Sequence, residues 1–267
     1  MSYYTNPEGV RFYYQDHGPA DGPAVLLVSA WSLDSTMWEY QVPALVAAGY
    51  RCVAMDRRGH GRSDEPGDGY RLDTLADDLA NFVDHLGLAE FASVGHSMGC
   101  CEIIRLRHRH DTARMTKALL LGTVSPHLRG AVGEADYEQA LATFQADRPR
   151  WFADGIDAYF ARPGSGVSRA LADEMVSVCL RVPMEVLVTC QRAGTATDVT
   201  AELTELDIPV LLIHGDADAS APLELTGRPS AALLPDARLV VYPGAPHGLY
   251  VSHAERLTDD MLDFLAS

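Results

Sequence analysis

The feature that most constrains this 267-residue chain is an alternation of short apolar runs with amphipathic segments. The all-apolar run at 23–30 is typical of a strand buried on both faces, and an alternating strand precedes it at 9–18. The segment 70–88 repeats apolar residues every three or four positions, as an amphipathic helix does. Buried strands that alternate with helices form a mostly parallel sheet with helices on both faces, so the sequence predicts an α/β fold. The other predicted strands are 50–56, 91–95, 117–124, 208–216 and 237–243, and the other predicted helices are 98–110, 222–235 and 253–267.

The alternation stops between about residues 125 and 200. This stretch contains helical patterns and no convincing strand, whereas strand patterns return from 208 onward. A chain of this length suits one large domain with an insertion. We therefore predict a core formed by 1–124 and 201–267, with 125–200 as a small helical cap over one end of the sheet.

The charge of the chain argues against two classes of partner. It has 37 acidic and 21 basic residues, which gives a formal net charge of −16. Such a surface repels phosphate backbones and anionic headgroups, so we expect neither nucleic acid nor membrane as a partner. No secretory signal is evident at the N-terminus. The five cysteines include no CxxC pair and are interpreted as reduced thiols, which favours a cytoplasmic protein.

Three side chains with complementary chemistry follow predicted strands. Ser97, Asp218 and His247 each come shortly after the end of a buried run. The carboxyl ends of strands in an open parallel sheet are where ligands bind, so these side chains are expected to meet there. A serine, an acid and a histidine in this chain order are typical of a nucleophile, an orienting acid and a base.

The pentapeptide GHSMG at 95–99 surrounds the serine with two glycines. A Gly-x-Ser-x-Gly turn between strand and helix strains the serine and raises its hydroxyl above the sheet, and the glycines leave room for close chain approach. The competing interpretation of the pentapeptide alone is an ordinary helix start at Ser97. The acid and the base that follow in order favour the nucleophile.

His247 is the preferred base among the ten histidines. Its position in a short loop after the last strand allows it to reach the serine. His96 is expected to be directed away from the adjacent serine, and His214 to be a buried, hydrogen-bonded residue. His60 lies in a glycine-rich loop upstream of the nucleophile, where it is a candidate lining residue, and His253 opens the last helix.

Asp218 is the preferred acid because it lies further into its loop than Asp216. Asp216 follows a glycine directly and is expected to organise the tight turn through its own backbone. Glu224 and Asp207 are more distant alternatives.

Two backbone amides are candidates for an oxyanion hole. The Met98 amide directly follows the nucleophile, and the second donor is expected in the loop after 23–30, at Trp31. The Trp31 ring is a candidate wall of an acyl pocket, and Trp38 is interpreted as a core residue.

These motifs resemble the α/β-hydrolase superfamily, and within it the cofactor-free haloperoxidase (perhydrolase) and arylesterase group. GHSMG, DRRGHGRSD, IPVLLIHGDAD and YPGAPHGL carry the resemblance. It implies Ser97 as nucleophile, Asp218 as acid, His247 as base, and the Trp31 and Met98 amides as oxyanion donors. It also implies that neither a metal nor an organic cofactor is needed, and that substrates are small esters or lactones.

One segment departs from the pattern of this group. Its members commonly carry His-Gly before the aromatic residue and often a proline after it, whereas this chain has Ser29-Ala30 before Trp31 and Ser32 after it. The missing glycine is expected to restrict the backbone near the second donor, and the missing proline to change the rigidity of the loop. The departure weighs more against peracid formation than against ester hydrolysis.

The sequence therefore predicts a serine esterase or lactonase that acts through an acyl-enzyme. A haloperoxidase or a C–C bond hydrolase with the same triad is the alternative enzyme, and a ligand receptor on the same scaffold is the non-enzymatic one. Homo-oligomerisation is left open. Four cap residues are candidates for contact with substrate, although packing of the cap on the core explains each equally well: Phe152, Tyr159, Met184 and Leu187.

Overall fold

The computed structural model describes residues 2–110 and 113–267. Eight strands among these residues form one sheet. The strands are β1 Ser2–Thr5, β2 Arg11–His17, β3 Ala24–Val28, β4 Arg51–Met55, β5 Phe91–His96, β6 Met115–Leu121, β7 Val210–Gly215 and β8 Ala237–Tyr242. Their order is β1-β2-β4-β3-β5-β6-β7-β8. The pairs β1–β2 and β2–β4 are antiparallel, and the strands from β4 to β8 are parallel. The mostly parallel sheet predicted from the sequence is confirmed.

Helices cover both faces of the sheet. They are α1 Val42–Ala47, α2 Leu72–His85, α3 Met98–His110, α4 Leu128–Val132, α5 Glu134–Ala146, α6 Arg148–Tyr159, α7 Arg169–Arg181, α8 Met184–Ala196, α9 Thr200–Thr204, α10 Gly227–Leu233, α11 Leu249–Ser252 and α12 Ala254–Ala266. A short 3-10 turn spans Ser35–Trp38. In the described residues, no helix has the length and apolar character needed to cross a bilayer.

The strands divide the apolar core into two clusters. On β3, Val25 and Leu27 belong to one cluster, whereas Leu26 and Val28 belong to the other. Successive side chains of a strand point to opposite faces, so each apolar strand supplies both sides of the sheet.

In the chain, the helices α4 to α8 come after β6 and before β7, in the segment where the sequence predicts the cap. Apolar side chains of α5 to α8 join the cluster on one face of the sheet, so these helices share a continuous core with the strands. The boundaries at 125 and 200 stay a prediction.

Two short elements are missing from the sequence prediction, and one predicted helix is shorter than expected. β1 is a four-residue edge strand, and α1 has six residues, with proline in its first turn. The helix expected over 222–235 begins only at Gly227, because the amides of Leu225 and Thr226 bind the carbonyl of Pro222 in a turn.

Candidate active site

Ser97 occupies a strained turn between β5 and α3. Its φ is 56°, in the left-handed region, which costs a non-glycine residue about 1–2 kcal/mol. A Cβ on Gly99 would lie 2.5 Å from the carbonyl oxygen of Val28, and one on Gly95 would lie 2.8 Å from the backbone of Gly99. The Ser97 amide donates to the carbonyl of Leu121 at 2.9 Å. These contacts allow only glycine on either side and hold the serine where strand meets helix.

His247 is bonded to Asp218 in the buried interior. Nδ1 of His247 lies 2.6 Å from Oδ2 of Asp218, and both side chains are at most 5% exposed. A carboxylate only accepts hydrogen bonds, so Nδ1 carries the proton and Nε2 on the other side of the ring is left to act as a base. Ser97 and His247 both line one cavity, where the sequence predicts nucleophile and base.

Asp218 is held as a carboxylate by its surroundings. Burial alone raises its pKa, but His247, a hydrogen bond from His214 and the amide of Ala221 outweigh burial and leave the pKa well below its usual value. Oδ1 accepts from the amides of Ser220 at 2.9 Å and Ala221 at 2.7 Å. The acid is therefore ionised and fixed in direction, as a group that orients a histidine must be.

Two contacts from other elements hold the backbone around His247. Nε2 of His96 donates to the carbonyl of His247 at 2.9 Å, and the amide of Gly248 donates to the carbonyl of Tyr159 at 2.7 Å. Burial, together with the nearby His247, lowers the pKa of His96 to about 3, so its ring is neutral. His96 thus contacts the neighbouring loop from the end of β5.

The alternative acids have other partners. Oδ1 of Asp216 accepts from the amide of Gly244 at 2.6 Å, so this carboxylate bridges to the loop after β8, whereas the sequence suggested its own turn. Glu224 pairs with Arg228, and Asp207 pairs with Arg107; both carboxylates are more than 70% exposed.

The alternative bases are also placed. Nε2 of His214 is 2.7 Å from the carbonyl of Ala221 and 3.4 Å from Oδ2 of Asp218, so this histidine supports the acid. His60 is buried and bonded to the carbonyl of Arg58 at 3.0 Å, outside the lining of the cavity.

The cavity beside Ser97 measures about 450 Å³, and residues that follow the strand ends and residues of helices α4 to α8 line it. Among the described residues that line it, none is Asp, Glu, Lys or Arg. Volume and composition suit a small, uncharged ligand with apolar groups. Its cap-side lining includes Leu128, Trp151, Phe152, Ile156, Tyr159, Met175, Cys179, Gln191 and Thr195.

The structure brings two of the four predicted cap residues to the cavity. Phe152 and Tyr159 line it. Met184, the first residue of α8, lines a separate surface groove. Leu187 is fully buried in the core and reaches the site only through its carbonyl.

Helical spacing in α6 carries a signal for a lining residue that the sequence prediction omits. Ile156 stands four positions after Phe152 and three before Tyr159, on the same face of the helix. The same spacing relates Met175 to Cys179 in α7. Spacing identifies such a face but does not tell which helix face meets a cavity.

Trp31 lies in the 29–33 loop that follows β3, and it lines the cavity together with Met98. The indole Nε1 of Trp31 donates to the carbonyl of Leu187 at 2.8 Å. The Trp31 ring stacks on the Phe152 ring, with 5.8 Å between the ring centroids. The ring is therefore a wall of the cavity, as the sequence suggested. The Met98 amide is the first of α3, where helix amides lack intrahelical acceptors.

Of the two departures that the sequence shows in this loop, the one at position 32 coincides with the unusual backbone conformation. The left-handed residue is Ser32, with φ 67°, and not Ala30. Proline fixes φ near −65°, so a proline at 32 could not adopt this conformation. The missing glycine at 30 therefore matters less than the missing proline, because the loop conformation depends on position 32.

Comparison with known proteins identifies the family of this chain. The sequence profile of the α/β-hydrolase fold matches residues 23–254. The chain belongs to the α/β-hydrolase family. This α/β-hydrolase is 35% identical to a non-heme chloroperoxidase of Kitasatospora aureofaciens over 98% of each chain. It is 33% identical to a bifunctional esterase/perhydrolase of Acinetobacter calcoaceticus over the whole of both chains.

A solved structure has the same overall fold as this α/β-hydrolase. A bromoperoxidase from Bacillus anthracis superposes with a TM-score of 0.93 and 32% identity over the full length of both chains. The predicted resemblance to the haloperoxidase, perhydrolase and esterase group is thus confirmed.

Proposed function

We propose that this α/β-hydrolase cleaves carboxylic esters or lactones of small, uncharged substrates through an acyl-enzyme on Ser97. The observation that carries the proposal is the bond of 2.6 Å between His247 and Asp218, at a cavity that Ser97 also lines. The relatives named as esterase or perhydrolase support it.

In the proposed mechanism, His247 Nε2 takes the proton of Ser97 as its hydroxyl oxygen attacks the substrate carbonyl. The ionised Asp218 stabilises the imidazolium that forms and holds the ring in place. His247 then returns the proton to the leaving alcohol, which leaves the acyl group on Ser97. A water molecule, activated by the same histidine, hydrolyses the acyl-enzyme.

The amides of Met98 and Trp31 are the proposed oxyanion donors. Both residues border the cavity beside Ser97. Met98 begins α3, whose dipole adds to the stabilisation of negative charge at its N-terminus. Loss of one such donor costs about 3–4 kcal/mol in enzymes of this type.

The cavity supports uncharged acyl or aryl substrates over charged ones. A carboxylate or an ammonium group would lose its hydration here without gaining a partner of opposite charge, because the described lining contains no Asp, Glu, Lys or Arg. The aromatic side chains of Trp31, Phe152 and Tyr159 offer apolar area for the acyl chain or an aryl leaving group.

The test replaces Ser97 with alanine and measures hydrolysis of p-nitrophenyl acetate. We expect kcat to fall by about 10⁴-fold or more with an unchanged circular dichroism spectrum. Ser93→Ala is a matched control, since the Ser93 hydroxyl lies in β5, the strand that leads to Ser97, and is buried without a hydrogen-bond partner. Equal activity of the two variants would refute the proposal, and mass spectrometry of an acylated Ser97 would support it.

Peracid formation is the second candidate, because relatives are named chloroperoxidase and esterase/perhydrolase. Hydrogen peroxide would replace water in attack on the acyl-enzyme and release a peracid. Bromination of monochlorodimedone with acetate and peroxide measures this activity. A rate far below that of ester hydrolysis would leave the esterase as the main activity.

A further inference from the structure

Arg57 is a buried cation directly behind the 29–33 loop. Its Nε and Nη2 donate to Oε1 of Glu102 at 2.8 and 2.5 Å. The two side chains are 5% and 3% exposed. Glu102 belongs to α3, the helix that begins at Met98. Arg57 is thereby joined to the element that supplies the first proposed oxyanion donor.

The same guanidinium also binds two backbone carbonyls of the 29–33 loop. Nη2 donates to the carbonyl of Ser29 at 2.7 Å, and Nη1 donates to the carbonyl of Ala30 at 3.2 Å. The Ala30 carbonyl accepts one further bond, from the amide of Leu33 at the longer distance of 3.4 Å. Arg57 is thus the main support of this carbonyl.

Peptide geometry carries the effect to the second proposed donor. The carbonyl of Ala30 and the amide of Trp31 belong to one planar trans peptide, in which C=O and N–H point in opposite directions. The carbonyl points towards Arg57, which lines a separate small cleft with Ser29 and Glu102. The Trp31 amide therefore points away from Arg57, and Trp31, unlike Arg57, lines the cavity that Ser97 also lines.

We propose that Arg57, held by Glu102, is a positioning residue that fixes the Trp31 amide relative to the Met98 amide. The inference rests on the proposed function, since it assigns a role only if these amides bind an oxyanion. Arg57 contacts neither the cavity nor Ser97. It acts by joining the 29–33 loop to the helix that begins directly after the nucleophile.

The next residue provides a matched control for a purely structural role. Arg58 is also 3% exposed, and it forms a buried pair with Asp78 of α2 at 2.6 and 2.7 Å. Its side chain also pairs with Glu8 and does not bind the 29–33 loop. Arg58→Lys therefore loses a buried two-bond ion pair, as Arg57→Lys does, without releasing a proposed oxyanion donor.

The experiment compares Arg57→Lys, Glu102→Gln and Arg58→Lys with the wild type. Lysine keeps the charge but cannot bind the carboxylate and both carbonyls together. For p-nitrophenyl acetate we expect Arg57→Lys to lower kcat by about 10- to 100-fold with little change in KM, because a displaced donor weakens only transition-state binding. Glu102→Gln should act in the same direction, and Arg58→Lys should keep kcat within about threefold.

Phenylboronic acid gives a readout that a structural role would not change. The serine oxygen adds to its boron while the hydroxyl proton passes to His247, and the tetrahedral anion that forms mimics the transition state. The affinity for phenylboronic acid should therefore fall by the same factor as kcat/KM. If Arg57→Lys and Arg58→Lys lose equal activity, or if boronate affinity is unchanged in the Arg57 variant, the inference is wrong. Should Arg57→Lys fail to fold, Glu102→Gln decides by the same two measurements.

The two proposals fail in different ways. A wild-type protein that hydrolyses no ester and takes up no boronate refutes the proposed function, and the role of Arg57 with it. An active wild type whose Arg57 and Glu102 variants behave like Arg58→Lys refutes only the positioning role.

Discussion

The two strand ends that meet at the cavity are built in different ways. The turn at 95–99 is fixed by backbone packing: Ser97 donates to the end of β6, and Gly99 lies against the carbonyl of Val28. The 29–33 loop is fixed by groups from distant segments. The guanidinium of Arg57, the thiol of Cys179 and the carbonyl of Leu187 each bind it.

This difference has consequences for function. A turn fixed by its own backbone keeps its geometry as long as the sheet is intact. A loop fixed from outside depends on helices α7 and α8, because Ser32 donates to the thiol of Cys179 in α7 and Trp31 donates to the carbonyl of Leu187 in α8. We therefore expect cap substitutions to change the proposed oxyanion site more than the nucleophile.

After Ser97→Ala, the largest expected effect comes from Asp218→Asn, and the effects at the two strand ends are compared with it. The variant removes the charge that stabilises the imidazolium and offers an amide group to Nδ1 of His247, so kcat should fall by about 10³- to 10⁴-fold. Ester hydrolysis at saturating substrate measures it. Asp216→Asn is the control, because an amide oxygen can still accept from the Gly244 amide. Similar losses in both variants would contradict the assignment of the acid.

Gly99→Ala should have the next largest effect and tests the rigidity of the 95–99 turn. The added Cβ would lie 2.5 Å from the carbonyl oxygen of Val28 and 2.9 Å from that of Ser29, and backbone atoms cannot move aside easily. We expect a loss of about 3 kcal/mol in the free energy of unfolding, measured with urea. Gly67→Ala meets no atom within 4 Å and should be nearly neutral. Equal stability of the two variants would show that the turn can relax.

The same difference explains what could be predicted from the sequence. The parallel sheet and the positions of Ser97, Asp218 and His247 follow from local patterns, since buried strands, glycines and chain order are visible in the residues themselves. The hydrogen bond between Asp218 and His247 joins residues 29 positions apart. Only the order of the two residues in the chain, each in a loop after a strand, predicts it.

Long-range side-chain contacts could not be predicted in this way. Arg57 pairs with Glu102 over 45 positions, and Trp31 binds Leu187 over 156. No periodicity relates such residues, so a local sequence pattern does not reveal that Arg57 binds the carbonyl before Trp31. For the same reason it does not tell which residues between 125 and 200 line the cavity and which pack in the core. The sequence prediction therefore includes Met184 and Leu187, although the side chains of other residues line the cavity.

Ser32→Pro tests the 29–33 loop directly and should have a smaller effect than Gly99→Ala. Proline cannot adopt the φ of 67° found at Ser32 and also removes the hydroxyl that donates to Cys179, so the loop must change its conformation. We expect about a tenfold loss of ester kcat, because the Trp31 amide shifts with its neighbour. Ser32→Gly accepts the same φ and should stay within about threefold of the wild type. A proline variant with full activity would contradict the dependence of the loop on position 32.

The effect that is smallest at neutral pH is the pH dependence of stability that comes from the 56–64 segment, which carries Arg57. Burial, with a contribution from Arg57, lowers the pKa of His60 to about 3, whereas an unfolded histidine has a pKa of about 6.5. Below pH 6.5 the unfolded chain therefore binds a proton at His60 that the native state does not bind. As the pH falls from 6.5 towards 3, this difference lowers the free energy of unfolding by up to about 1.4 kcal/mol per pH unit.

His60→Asn should remove this contribution, because its amide can still donate to the carbonyl of Arg58 but does not titrate. Urea unfolding between pH 7 and pH 4.5 should give a flatter dependence of the unfolding free energy than in the wild type. A slope remains, since His96 at the end of β5 has a similarly lowered pKa. Parallel curves for variant and wild type would contradict this prediction, because they would mean that His60 has the same pKa in the native and in the unfolded protein.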